Sequence, residues 1–359
     1  MTELNVGVIG VGEMGKRHAE NMRHSVPGAR LLAVADANLK RAQSVASELN
    51  ITGAYGNVED LVALPDLQAV VISSPPKYHF AAILAAAAAG KHIFCEKPLT
   101  LTLEEADTAL QAVERAGVML QVGHMRRFDP PYVEAKRRID AGDIGQVVIF
   151  KSIGRDQESS PAGACRVDLN GTLFHDSSSH DFDLARWLTG DEVVEVHAYG
   201  AALAIPELKK LQAFDAGVIN LQFEGGAIGN VESFMDAKYG YDIRTEIVGT
   251  KGTLAIGHIR QTPIVMMTRS GSMHDLIAHW LERFAEAYRR EMCDFVEAVL
   301  RSLPPRVTGH DGRQSLAVAE AAVQSFRGRK PVRVQLTARP PSELAAAHAT
   351  RSPESNAKK

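Results

Sequence analysis

Three segments carry residue types whose spacing supports chemistry. The first is Gly10-Val11-Gly12-Glu13-Met14-Gly15, a G-x-G-x-x-G pattern. It ends one apolar run, opens a helical pattern, and is followed about 20 residues on by Asp36 at the end of a second apolar run. Gly10 permits a tight turn, Gly12 lets the backbone approach a pyrophosphate, and Gly15 lets helix and strand pack closely. Free N–H groups at the helix start then hold phosphate oxygens. Asp36, followed by Ala37 and Asn38 and no adjacent Arg, accepts hydrogen bonds from ribose hydroxyls and repels a 2′-phosphate. NAD is the expected cofactor. NADP is disfavoured, although Lys40 and Arg41 one turn on soften that exclusion.

The second segment is Cys95-Glu96-Lys97-Pro98-Leu99. It lies at the C-terminal edge of a strand, where open α/β sheets bind ligands, so Lys97 can reach a substrate hydroxyl. By itself the segment also describes a surface lysine, with Glu96 either its partner or simply solvated. Cys95 reads as a small buried residue and not a nucleophile.

The third runs from Gly171 to Leu188 and reads as one helix from Leu173. At about 100° per residue, Asp176, His180 and Asp183 share a face within roughly 60°, while His175 points about 140° from His180. His180 titrates near neutrality and suits general-base work. Asp176 is expected to hold its tautomer or a neighbouring hydroxyl, and Asp183 to brace the helix through Arg186. A metal set of Asp176, His180 and Asp183 is the weaker reading, because a hydride-transfer site needs no metal; none is expected.

Up to Gly123 the elements that position these residues alternate. Strands are read at Val6–Gly10, Leu31–Asp36, Ala69–Ser73, Lys91–Cys95 and Val118–Val122, with helices between them. Continuous apolar strands separated by helices signal a doubly wound parallel sheet, a Rossmann-like α/β domain over residues 1–123. Residues 124–337 read as a second, α+β domain with a large, mostly antiparallel open sheet. Its strands start at Gln146, Val193, Gly217, Ala227 and Tyr241, with turns at Glu224-Gly225-Gly226 and Gly249-Thr250-Lys251-Gly252. Helices near 283–302 and 312–324 and a strand at 332–336 close it. Residues 338–359, rich in Pro, Ala and Ser, read as a flexible tail.

The 359 residues carry 40 Lys+Arg against 43 Asp+Glu, a balance that argues against nucleic-acid or membrane-surface partners. Short basic clusters such as Arg126-Arg127 do not change that. Three cysteines exclude a disulfide framework and fit a reducing cytoplasm. No apolar run is long enough to span a bilayer. His18, His24 and His92 read as surface or cap residues, Met266, Met267 and Met273 as packing, and Trp187 and Trp280 as core.

Together, the glycine motif, Glu96-Lys97-Pro98, Asp176-x-x-x-His180 and the following sheet resemble the glucose–fructose oxidoreductase/inositol dehydrogenase (Gfo/Idh/MocA) family over about residues 4–336. Gln121 to Asp129, Lys238 to Ile243 and Trp280 to Tyr288 resemble its inositol 2-dehydrogenase subgroup. The resemblance implies Lys97, Asp176 and His180 as the catalytic set. It implies Arg127, Asp156 (where an Asn is common in the subgroup) and Tyr239 as polyol contacts. Ser73, Ser74, Pro75, His79, Glu96 and Met125 would line the nicotinamide half of the cofactor. The implied activity is NAD-dependent oxidation of a ring secondary hydroxyl of a cyclitol such as myo- or scyllo-inositol. Alternatives are a pyranose dehydrogenase or reductase and, from another class, a non-catalytic dinucleotide sensor or corepressor. The family's habit of pairing through the open sheet implies a homotetramer.

Overall fold

The computed structural model describes residues 3–157, 160–257 and 259–338. The first sheet is built by β1 (Leu4–Ile9), β2 (Ala29–Ala35), β3 (Gly53–Tyr55), β4 (Ala69–Ile72), β5 (His92–Glu96) and β6 (Leu120–Gly123). They lie in the order β3-β2-β1-β4-β5-β6 and every pairing is parallel. The order reverses at β1 and β4, which opens a crevice at their carboxyl ends, the place where such sheets take ligands. Helices α1 (Glu13–His24), α2 (Leu39–Glu48), α3 (Val58–Val62), α4 (His79–Ala88) and α5 (Leu103–Ala116) link the strands. β3 and α3 escape the sequence pattern because each is too short to show a period.

A 3-10 turn at Met125–Phe128 leads into α6 (Pro130–Asp140) and the long strand β7 (Val147–Gln157). Then come α7 (Pro161–Ala164), α8 (Val167–Asn170), α9 (Leu173–Asp176) and α10 (Ser179–Thr189). The second sheet adds β8 (Val193–Ala201), β9 (Ala216–Phe223), β10 (Ile228–Ala237), β11 (Asp242–Gly249) and β12 (Thr253–Ile256). A separate hairpin joins β13 (Val265–Thr268) to β14 (Gly271–His274); helices α11 (Trp280–Arg283), α12 (Ala285–Arg301), α13 (Gly309–Gly328) and the short strand β15 (Val332–Arg333) complete the chain. The order is β12-β11-β7-β10-β9-β8-β15. Only the β7–β10 pair is parallel, because four helices separate β7 from the hairpin-linked strands.

Several expectations need correction. The helix read from Leu173 to Leu188 breaks at Ser177 and Ser178 into α9 and α10. Serine hydroxyls compete for the backbone: Ser179 Oγ donates to the Asp176 carbonyl, and Ser178 Oγ pairs with Ser233 Oγ on β10 at 2.7 Å. His18 is fully buried, not a surface residue, because α12 packs over α1 and its Met292, Phe295 and Val296 join the apolar cluster of β1 and α1. The C-terminal helices therefore cover the first sheet as well as the second. Met266, Met267 and Met273 are exposed on the β13–β14 hairpin and do not pack. The proposed tail beyond Ala338 lies outside the described residues.

Candidate active site

At the mouth of the crevice, Gly10 has φ of +81°, and a Cβ there would lie 2.5 Å from Ser74 N. A Cβ on Gly15 would meet Gly10 O at 1.8 Å, so both positions demand glycine. At Gly12 a Cβ would meet nothing within 4 Å. Gly12 caps α1 without any side-chain hydrogen bond, leaving the first N–H groups directed at open space. The Ser73 and Ser74 hydroxyls are buried with no partner among the described residues. At the far end Asp36 accepts the Val11 N–H at 3.0 Å and the Asn38 N–H at 2.8 Å, with Arg41 3.4 Å away. A dinucleotide fits this cradle, with amides for phosphate and a fixed carboxylate for ribose. Glu13, Met14 and Ala37 border it; exposed Glu13 pairs with His279.

Lys97 follows β5 and is directed across the crevice. Its Nζ donates to Asp176 Oδ1 at 2.7 Å and to the Asp176 carbonyl at 2.9 Å. That carbonyl is free to accept because the helix breaks immediately after it. Asp176 thus engages Lys97 and does not orient His180. His180, on the first turn of α10, is buried, and neither ring nitrogen has a partner among the described residues. Burial pushes the imidazole well below its usual range, and the positive charges of Lys97 and Arg126 and the neighbouring His124 add to this. It is therefore neutral at pH 7, with a lone pair available to take a proton.

Next to this group a cavity of about 210 Å³ is lined by Asp156, Asp176, Ser177, Asn170, Thr172 and apolar neighbours. Asp156 accepts a hydrogen bond from Ser177 Oγ. Burial and the charge of Asp176 push the Asp156 carboxyl up to about 6.

Both parts of the chain match known sequences. The family model described as "Oxidoreductase family, NAD-binding Rossmann fold" covers residues 4–124, and its companion, "Oxidoreductase family, C-terminal alpha/beta domain", covers 136–334. The chain belongs to the Gfo/Idh/MocA family. Among its relatives is the scyllo-inositol 2-dehydrogenase (NAD(+)) of Bacillus subtilis, 40% identical over 334 residues, 93% of this chain and 97% of the relative. A myo-inositol 2-dehydrogenase of Thermotoga maritima is 34% identical, covering 92% and 99%. The solved structure of a scyllo-inositol dehydrogenase from Lactobacillus casei, with bound NAD(H) and scyllo-inositol, superposes with a TM-score of 0.88 at 32% identity. It covers 92% of this chain and 99% of that one.

Within this family member not every expected site residue reaches the crevice. Arg127 is buried away from it, in a two-pronged contact with Asp183 (2.6 and 2.8 Å). Asp183 therefore pairs with Arg127 and not Arg186, which is committed to Glu192. Tyr239 stands on the open face of the second sheet, bonded to Arg155 and Asp242, because residue 155 of the pleated strand β7 faces away from Asp156. Glu96 turns from Lys97 Nζ: one oxygen meets His18 at 2.7 Å and the other accepts the Lys97 N–H. His79 is buried between the Ser74 and Pro98 carbonyls, tying the cradle to the lysine segment. Ser73, Ser74, Pro75 and Met125 border the crevice at the ends of β4 and β6. Sequence reasoning missed His124, whose ring meets that of His180 edge-on at 5.9 Å. Its sequence signals are its place two residues past the strand read at Val118–Val122 and within the Gln121 to Asp129 stretch.

Proposed function

We propose that the protein oxidises a ring secondary hydroxyl of a cyclitol, myo-inositol or a stereoisomer such as scyllo-inositol, to the ketone with NAD. The observation that carries this reading is a buried neutral His180 beside the Lys97–Asp176 pair, at the carboxyl edge of a dinucleotide-binding sheet. Bound NAD supplies the hydride acceptor at nicotinamide C4. His180 takes the hydroxyl proton as the C–H electron pair leaves, so one alcohol yields one ketone, one reduced cofactor and one proton. Lys97 donates to the same oxygen and stabilises the developing alkoxide. Asp176 holds the ammonium in place, and Asp156 with Ser177 accepts and donates hydrogen bonds at the polyol's other hydroxyls. The activities of the relatives and the inositol-bound neighbour support the same substrate class.

The test is NADH absorbance with NAD or NADP and a panel of myo-, scyllo- and chiro-inositol, glucose and xylose. Turnover on an inositol with NAD is expected. Turnover only on pyranoses moves the substrate, and silence with NAD still bound favours a sensor. Asp36 supports NAD over NADP, because its carboxylate stays at the ribose position, held by the Val11 and Asn38 N–H groups, and the cation beside it, Arg41, is exposed.

We further propose that a second copy of this chain packs on the open face of the second sheet, as one of the contacts of a homotetramer. Val148, Tyr199, Val218 and Ile228 are exposed on that sheet's strands, more apolar surface than a solitary sheet face usually shows. Light scattering on a sizing column should give about four times the 38.9 kDa chain mass. Tyr199→Glu/Val218→Glu should shift it toward smaller species, and a wild-type monomer would refute the assembly. Among the described residues no helix is long and apolar enough to cross a membrane; three free thiols support a reducing, cytoplasmic setting.

A further inference from the structure

The base and the cofactor cradle belong to different parts of the chain, so something must fix their separation. The segment joining them supplies two arginines in succession, and both are spent on the helix that carries His180. Arg126 donates to Asp181 Oδ1 at 2.6 Å, an oxygen that also accepts Ser152 Oγ from β7. A Cβ on Gly154 would lie 3.0 Å from the other Asp181 oxygen, so β7 leaves space for this carboxylate. Arg127 grips Asp183 with both arms of its guanidinium and reaches Asp311 on α13 at 3.2 Å. All of these side chains are at least nine-tenths buried. Burying five charges is costly and is repaid only by tight geometry.

We propose that Arg126 and Arg127 are positioning residues for the reaction, clamping α10 by Asp181 and Asp183, the first and third residues after His180. The clamp ties the base to the end of β6, and so to the sheet that presents Lys97 and the dinucleotide cradle. Arg126 also contributes one of the three charged or titratable groups facing the His180 ring, with Lys97 and His124. The pair thus sets where the base stands, and Arg126 also how readily it takes a proton. This inference rests on the proposed function for its kinetic arm and on ring titration for an arm independent of turnover.

Two variants separate the roles. Arg127→Lys keeps the charge and loses the fork, so it should lower kcat about tenfold while KM and the Kd of NAD stay within about twofold. Arg126→Met/Asp181→Asn removes both charges together. It should raise the midpoint of the His180 ring titration, followed by NMR, and carry the acidic limb of kcat to higher pH. A merely structural role would lower the melting temperature and move neither. Should Arg127→Lys fail to fold, Asp183→Asn, which keeps one acceptor, replaces it with the same expected split. If the wild type turns over no substrate, the proposed function fails while the NMR shift still decides this inference. Unchanged kcat in folded Arg127→Lys, or an unmoved His180 titration in the double variant, would overturn it.

Discussion

His180→Ala should retain NAD binding and lose about 10²- to 10⁴-fold in kcat, the usual contribution of a positioned general base. Lys97→Met should lose about 10²- to 10³-fold through the missing donor to the alkoxide. The pH dependence makes the two losses distinguishable. His180 must be neutral to act, and burial with nearby positive charge holds its ionisation well below the usual 6.5. Wild-type turnover should therefore stay flat from pH 8 down past 6.5 as far as this base is concerned. Lys97→Met removes one of the charges opposing the imidazolium, so the surviving activity should fall off at higher pH than in the wild type. Asp156, raised to about 6, adds an ionisation of its own that Asp156→Asn abolishes. A limb near pH 6 that persists in Asp156→Asn would reassign it to His180. Stopped-flow NADH traces across pH 5–9 measure all of this, and full turnover in either His180→Ala or Lys97→Met would remove the mechanism.

The legible parts of this site are those written within a few residues. The glycine turn, Asp36 at the end of β2 and Lys97 after β5 follow from local pattern, since a strand's carboxyl end is fixed by where its apolar run stops. Asp176 and His180 were found by residue type, but their assumed relation was wrong. A helical wheel presupposes an unbroken helix, and the break depends on Ser178 meeting Ser233, 55 residues away. The arginine pairings are equally remote: Arg126 meets Asp181 and Arg127 meets Asp183 across 55 and 56 residues, which no periodicity reports. Arg126-Arg127 read alone is an ordinary basic dipeptide. His18 misled for a related reason. By position it shares a face with Met14, four residues before, and Met22, four after, so residue type alone suggests a surface, and α12 arrives from the other end of the chain to cover it.

Glu291→Gln should stabilise the protein, although it removes a charged residue type from the interior. Glu291 lies on α12, fully buried, with both carboxylate oxygens unpartnered among the described residues. Ligand atoms of His18, Glu96 and Glu291 sit within 4.8 Å of one another. Burial and the charge of Glu96 raise Glu291 well above the ordinary carboxylate range, so the folded protein keeps its proton to higher pH than the unfolded chain does. The unfolded chain releases that proton above about 4.5. Folding is therefore linked to proton uptake, and stability falls as pH rises from the unfolded value toward the folded one. Glutamine keeps the shape and a donor and escapes this penalty. Its melting temperature at pH 8 should exceed that of the wild type by about 1–2 °C per kcal/mol recovered, with the gap narrowing as pH falls through about 4.5 and closing below it, where both states are protonated. The opposite result has a specific meaning. A Gln variant that melts lower at pH 8, together with a wild type destabilised by EDTA, would make the three residues ligands of a buried divalent cation and Glu291 an ionised one. Glu96 also accepts the N–H of Lys97, so under that outcome chelation should lower kcat as well.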